Sequence, residues 1–400
     1  MLHDLAELSE PGDTPGPGLD RIYGLDQTFV EARERLPELC ELAIAGLARM
    51  ALPELHFPHT MRCIGDHNGS GTVPEGVNLR YAIIVALGLA WTSPAVQRSV
   101  LQGKTAAELA LACVEQAASS GEPGAVALAA WAAAEVAGVF AADLFKQLEG
   151  GLAADKVVQT VPCAWALTAA LAARHLGSTA EVQHRASRLL LYSQAGNGLF
   201  GHLIPARAGG FARRHVGCFA DQVYPIQALA RLAHADDDRV ALRTAEACAA
   251  RIVELQGDAG QWWWHYDTRD GSVVEGYPVY SVHQHAMAPM ALLDLFDAGG
   301  TDHRDAVVKG LRWIDERPET DEAIVSPEDD VVWRKVGRNE PPKLVRSIAA
   351  VTTALVPGWH LPGLGAAFRP GRIDRECRPY EFGWMLYAWR SRGVVQALRR

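Results

Sequence analysis

Chemistry in this 400-residue chain concentrates in a few short stretches. In Cys218-Phe-Ala-Asp221-Gln222-Val-Tyr224-Pro225 a single carboxylate stands in an apolar frame. Such an acid either caps the helix that follows or, once desolvated, keeps its proton to higher pH and serves as a general acid. The stretch Glu275-Gly-Tyr277-Pro-Val-Tyr280-Ser-Val-His283-Gln284-His285 supplies imidazoles. Tyr280, His283, Gln284 and Met287 recur at three- and four-residue spacing, which predicts one shared helical face, with His285 turned toward a neighbouring helix. Imidazole is the natural acid/base near neutral pH. Asp221, His283, Tyr280 and His285 are therefore the candidate catalytic residues, and a satisfied core imidazole is the competing explanation for either histidine.

Candidate binding residues surround these. The run Trp262-Trp263-Trp264-His265-Tyr266-Asp267 offers Trp263, Trp264 and Tyr266 either to pack the rim or to stack on a ligand, a sugar ring or a carbocation-like centre. Tyr224 and Tyr277 stand beside the acid/base stretches. Arg80, Arg346 and Glu381 open other helices, and Arg334, Lys335, Arg338, Lys343 and Arg346 form the one locally basic segment. That segment is either a solvated loop or a clamp for carboxylate or phosphate, since guanidinium forks match both. Asp66-His67-Asn68 reads more simply as a turn.

The elements that must position these residues are helices. Ala/Leu-rich segments with three-to-four-residue apolar spacing dominate, and alternating Val/Ile/Thr runs are almost absent, which predicts an all-α protein. Breaks at Gly, Pro and Asp clusters predict helices over about 28–50, 78–91, 104–119, 122–137, 140–149, 159–175, 179–194, 219–233, 239–256, 280–297, 301–316, 342–355 and 380–396. Six of them, at 78–91, 122–137, 159–175, 219–233, 280–297 and 342–355, are apolar nearly all round and must be buried. Each follows a more polar one. Six inner and six outer helices make an (α/α)6 toroid, with the extra C-terminal helix closing or capping it. Such pairs cannot bury their faces alone, so residues 26–400 are expected to form one domain behind a mobile tail at 1–25.

Gln194-Ala-Gly-Asn-Gly198-Leu-Phe200 and Gln256-Gly-Asp-Ala-Gly260-Gln-Trp262 each end an outer helix with the same pattern: Gln, three residues, Gly, one residue, aromatic. The Gly permits a left-handed turn, the Gln satisfies freed carbonyls, and the aromatic folds back on the helix end. The pattern resembles the repeat of the squalene/terpenoid cyclase and protein prenyltransferase β-subunit superfamily. That resemblance implies an α/α toroid with a small molecule in its central cavity.

Its chemistry transfers less well. Class II cyclases of that superfamily protonate an alkene with Asp-x-Asp-Asp, whereas Asp236-Asp237-Asp238 falls in an outer turn and Glu328-Asp329-Asp330 in a loop. The prenyltransferase β-subunits hold zinc through an Asp-x-Cys pair and a histidine of the next inner helix. Here Asp221 and His283 stand at comparable places, but Val223 replaces the cysteine, so no cofactor is expected. A zinc site would have to be rebuilt with Cys218 or His285. The leading expectation is a terpenoid cyclase- or prenyltransferase-like enzyme with a mainly apolar cavity. The alternative is a glycan-active toroid, a hydrolase, uronate lyase or epimerase, whose site needs aromatic platforms, a base for a carboxylate and a proton-moving group. A non-catalytic ligand-binding toroid is the third.

Composition narrows the partners. The 38 bases against 47 acids give a net charge of −9, and no basic run tracks phosphates, so nucleic acid and anionic membranes are excluded as partners. No stretch of about 18 apolar residues suggests a membrane span, and residues 1–20 lack a signal-peptide core, so a cytoplasmic enzyme with a small-molecule substrate is expected. Seven scattered cysteines without CxxC spacing predict neither a disulfide framework nor a thiolate zinc site. Oligomeric state is left open.

Overall fold

The computed structural model describes residues 21, 22, 24, 25, 29–64 and 71–399. Asp66-His67-Asn68 and residues 1–20 of the expected tail lie outside them. Six helices form an inner ring: Leu79–Leu89, Pro123–Ala137, Thr160–Ala173, Ala220–Asp236, His283–Asp297 and Pro379–Arg390. Each packs on the next, and the sixth closes against the first. Val30–Met50, Ala106–Ser120, Ala142–Gly151, Ala180–Ser193, Arg239–Glu254 and Arg304–Glu316 form the outer layer. The fold is the expected (α/α)6 toroid, and among the described residues no helix is long and apolar enough to cross a membrane.

Composition accounts for the layers. Every residue from Gly124 to Ala134 in the second inner helix is buried, and its alanines let neighbouring backbones approach closely. Ring closure depends on two glycines. A Cβ on Gly88 would stand 2.2 Å from the carbonyl oxygen of Gly383, and one on Gly383 would stand 2.7 Å from that of Ile84.

The repeated motif does what its residues predict. Gln194 Nε2 donates to the carbonyls of Gly198 and, in the next outer helix, Thr244, both at 2.8 Å. Gln256 repeats this toward Gly260 and Ala306 at 3.0 and 2.9 Å. Gly198 and Gly260 have φ of 90° and 94°, while Phe200 and Trp262 are fully buried.

Two helices exchange the roles expected of them. Pro379–Arg390 is the sixth inner helix, with Trp384, Tyr387 and Trp389 wholly buried in the ring. Leu344–Leu355 lies outside, on the strand Val273–Glu275 and the short helix Gly210–Arg213, where it flanks the open end. Short strands of two to five residues gather at that end, among them Val216–Cys218 paired with His265–Asp267, and Val279–Tyr280 paired with Lys335–Arg338. At the opposite end Arg21, Ile22 and Leu25, from the segment expected to be tail, are buried. Arg21 and Arg231 there share the buried carboxylate of Asp294 at 2.6 and 2.7 Å. All seven cysteines are free thiols.

Candidate functional site

The chemistry-bearing residues lie at the N-terminal ends of the inner helices. Asp221 sits in the first turn of the fourth inner helix with no exposed surface. Its carboxylate accepts from the Cys218 amide at 2.8 Å and faces Nδ1 of His202 at 3.2 and 3.3 Å. The bond to Asp221 raises the His202 pKa against a partial loss of solvation. With its side chain 49 % exposed, His202 offers its other nitrogen while the buried acid fixes the ring. The Cys218 thiol lies alongside, pushed up by burial and by the Asp221 charge.

His202 was absent from the sequence expectation. It stands in the loop after Phe200, and its backbone carbonyl holds the Thr160 amide at the start of the third inner helix at 3.1 Å. The repeat contains the missed signal. The glutamines of the two motif copies are 62 residues apart (194 to 256), and the same shift carries His202 to Trp264, Cys218 to Tyr280 and Asp221 to His283. The backbone confirms the register: the Phe200 amide donates to Gln222 Oε1 and the Trp262 amide to Gln284 Oε1.

Tyr280 and His283 do not share a helical face. Tyr280 ends a two-residue strand, and His283–Met287 is a π-helical turn, the wider winding that often marks functional sites. Gln284 Nε2 turns back to the Tyr280 carbonyl. The rings of Tyr280 and His283 still adjoin at 5.0 Å, and Phe219 packs on His283 at 4.4 Å. Burial depresses His283 to about 3, and His265 also falls to about 3 through burial and the neighbouring Arg346 and Arg213, so both stay neutral. His285 is wholly buried, and among the described residues neither ring nitrogen has a partner, so it belongs to the core between helices.

A cavity of about 840 Å³ opens beside Trp264 and Tyr280. Its wall carries eight bases (Arg62, Arg334, Lys335, Arg338, Lys343, Arg346, Arg372 and Arg375) against three acids (Glu322, Glu340 and Asp374). Most of the bases are paired: Lys335 with Asp374 at 2.7 Å, Arg338 with Glu275 at 3.1 Å, Arg375 with Glu322 at 2.7 Å. Arg346 differs. Among the described residues no carboxylate pairs with it, and its guanidinium lies over Trp264 at 4.7 Å. Partial burial and, after it, Arg213 lower its pKa, outweighing the opposite pull of Tyr280 and Glu340. Trp264 is covered on its other side by His265, stacked at 4.2 Å, so it orients Arg346 instead of presenting a free platform.

Other predicted residues complete the rim. Glu381 opens the sixth inner helix fully buried; among the described residues neither carboxyl oxygen has a hydrogen-bond partner, Arg334 Nε comes to 4.0 Å, and burial pushes the group up to about 8. Arg378 Nη1 donates to the Tyr81 hydroxyl at 3.0 Å, and Tyr81 lies against Tyr380. Tyr224 is buried on Trp165 and Trp384, close enough to Cys218, Arg80 and Tyr81 to feel their charges. The exposed Arg80 pairs with Glu122 at 3.7 Å. Tyr277 lines the mouth, its hydroxyl donating to Glu319 at 3.1 Å. Trp263 bonds to the Leu255 carbonyl at the outer rim, and Tyr266 is wholly buried, so neither lines the basic cavity. Of the zinc alternatives, Cys218 does stand with Asp221, whereas His285 stands apart.

No family model matches the chain, and no curated protein matches it in sequence. Solved structures do match in fold. The unsaturated glucuronyl hydrolase of Bacillus sp. GL1, responsible for the degradation of glycosaminoglycan, superposes with a TM-score of 0.57 at 12% identity, covering 90% of this chain and 98% of that one. An unsaturated glucuronyl hydrolase specific for heparin gives 0.52 at 12% identity, over 90% and 98%. That of Streptococcus agalactiae gives 0.52 at 10% identity, over 94% and 96%. The likeness to these proteins is one of fold.

Proposed function

We propose that this protein is a glycan-active enzyme that takes a uronate-bearing saccharide into the open end of its ring and acts on it by proton transfer. The observation that carries this reading is Arg346, an unpaired, partly desolvated guanidinium held on Trp264 in a basic cavity. A carboxylate is the ligand such a fork fits, and a charge-assisted pair there compensates a cation that the protein leaves without one. A mainly apolar cavity, which hydrocarbon cyclisation requires, is not what this wall offers. Support for the saccharide comes from the fold neighbours, which act on unsaturated glucuronyl groups.

Arg346 binds and orients the acid, beside Arg334, which Asp374 and Glu376 already pair at 3.7 and 3.5 Å. Glu381 stays neutral at pH 7. The exposed nitrogen of His202 moves the proton, and Asp221 fixes the tautomer and supports the imidazolium that forms. His283 and Tyr280 shape the wall, because a histidine depressed to about 3 exchanges no proton near neutrality.

The test is turnover of oligosaccharides ending in saturated or unsaturated uronate, assayed for the protein, for His202→Ala and for Asp221→Asn. Activity is expected in the first and a loss of at least ~100-fold in the variants, the usual contribution of a positioned acid/base. If no uronate-bearing saccharide is bound or turned over, or if both folded variants retain full activity, the reading fails.

A further inference from the structure

The geometry points to a binding site for one divalent transition-metal ion, zinc or a zinc-like ion, formed by His202, Cys218 and Asp221 with its fourth position toward the open end of the ring. The three donor atoms, an imidazole nitrogen, a thiol sulfur and a carboxylate oxygen, all lie within 4.8 Å of one another. They come from two segments: the loop after Phe200, which carries His202, and the continuous strand-to-helix stretch Val216–Asp221, which carries Cys218 and Asp221 three residues apart. Their convergence is thus a product of the tertiary fold.

The nitrogen–oxygen separation suits an ion. His202 Nδ1 stands 3.2 and 3.3 Å from the Asp221 oxygens, longer than the ~2.7–2.9 Å of a charge-assisted hydrogen bond. Two ligands each ~2.0–2.1 Å from a tetrahedral centre stand about 3.3 Å apart, which is the spacing seen here. The site is also braced, since Asp221 accepts from the Cys218 amide at 2.8 Å, an outer bond that holds a ligating carboxylate in place. A carboxylate and a thiol placed together repel once the thiol ionises, and a divalent cation between them removes that repulsion.

The donor types choose the ion. One sulfur, one nitrogen and one oxygen suit zinc or cobalt, whereas calcium and magnesium demand oxygen shells. Three protein ligands and an open position are the pattern of reactive zinc sites and not of closed structural ones. The half-exposed His202 sets the open side. For the ion to bind, the thiol proton leaves to solvent and the Nδ1 proton leaves or moves to Nε2. Occupancy therefore withdraws His202 as a base, so metal and metal-free protein differ in who handles the proton. This inference does not rest on the saccharide reading, and its readouts are independent of turnover.

The experiment uses the whole chain, stripped with a chelator and titrated with Co²⁺ and then Zn²⁺. One equivalent should bind, with a thiolate-to-cobalt charge-transfer band in the near ultraviolet that zinc displaces. Cys218→Ser should abolish the band, Cys63→Ser should keep it, and His202→Ala should weaken binding by about ten-fold or more. A measurement on the unaltered protein covers any variant that fails to fold: zinc should protect Cys218 from alkylation, read by peptide mass spectrometry, without protecting Cys63. Absence of a one-equivalent band, a band that survives Cys218→Ser, or equal alkylation of Cys218 with and without zinc overturns the proposal.

Discussion

Replacing Glu381 with glutamine gives the most direct test of how this ring treats charge. The carboxyl is wholly buried, has no hydrogen-bond partner among the described residues, and is pushed up by burial to about 8 in the folded protein against an ordinary value of 4.5. Because the folded pKa is the higher one, the folded state binds a proton that the unfolded chain releases. Wild-type stability is then unpenalised below pH 4.5, falls as the pH climbs from there to 8, and levels off above. Between pH 4.5 and 7 the interval is 2.5 pH units, which at 1.36 kcal/mol each is about 3 kcal/mol. Burial is complete, so solvent screening does not reduce this figure.

Glutamine keeps the shape and cannot ionise. Its own desolvation cost is independent of pH, so the informative quantity is the difference between the two stability curves. Urea unfolding of both proteins at pH 4.5, 5.5, 6.5 and 7.5 should show Glu381→Gln gaining on wild type by about 3 kcal/mol across the range, because every other titrating group cancels. Parallel curves, with a difference constant to within about half a kcal/mol, would refute the burial argument. They would mean that Arg334 compensates the charge after all, across the 4.0 Å that separates the two groups.

Three further outcomes follow from particular contacts. Asp294→Asn leaves Arg21 and Arg231 buried without their shared carboxylate and should cost about 3–5 kcal/mol, read as a lowered urea midpoint. Gly383→Ala drives a methyl to 2.7 Å from the Ile84 carbonyl at the ring closure and should lower stability by at least about 1–3 kcal/mol; an unchanged Tm contradicts the closure described. Arg346→Ala should weaken a uronate-bearing saccharide by about ten-fold or more, as loss of a charged hydrogen bond of ~1.5–3 kcal/mol implies, while a neutral analogue measured by calorimetry binds as before.

The ring itself was legible because burial on all sides leaves a compositional trace: a helix such as Pro123–Ala137 has no polar face to turn to water. Which apolar helix closes the ring was not. The helix at 342–355 read as the sixth apolar member and that at 380–396 as a cap, and what seats Pro379–Arg390 in the ring is the fit of Gly383 against Gly88, nearly 300 residues away in sequence. Periodicity reports which face of a helix is buried and is silent about its partner.

The site divides along the same line. Asp221 was visible as a charge in an apolar frame, and Arg346 as a member of the basic segment. The π turn at His283–Met287 was not, since an extra residue in one turn changes no residue type, and neither was the strand Val279–Tyr280, which takes Tyr280 off the face expected of it. His202 looked like any loop histidine. What singles it out is a relation between repeat units: the 62-residue shift puts His202 over Asp221 where the next unit puts Trp264 near His283. Two copies of one backbone scaffold thus carry different chemistry. One holds an acid–imidazole pair partly open to solvent, and the other an aromatic and a neutral imidazole. The repeat fixes where a side chain can act, and the residues that break its likeness decide which copy does.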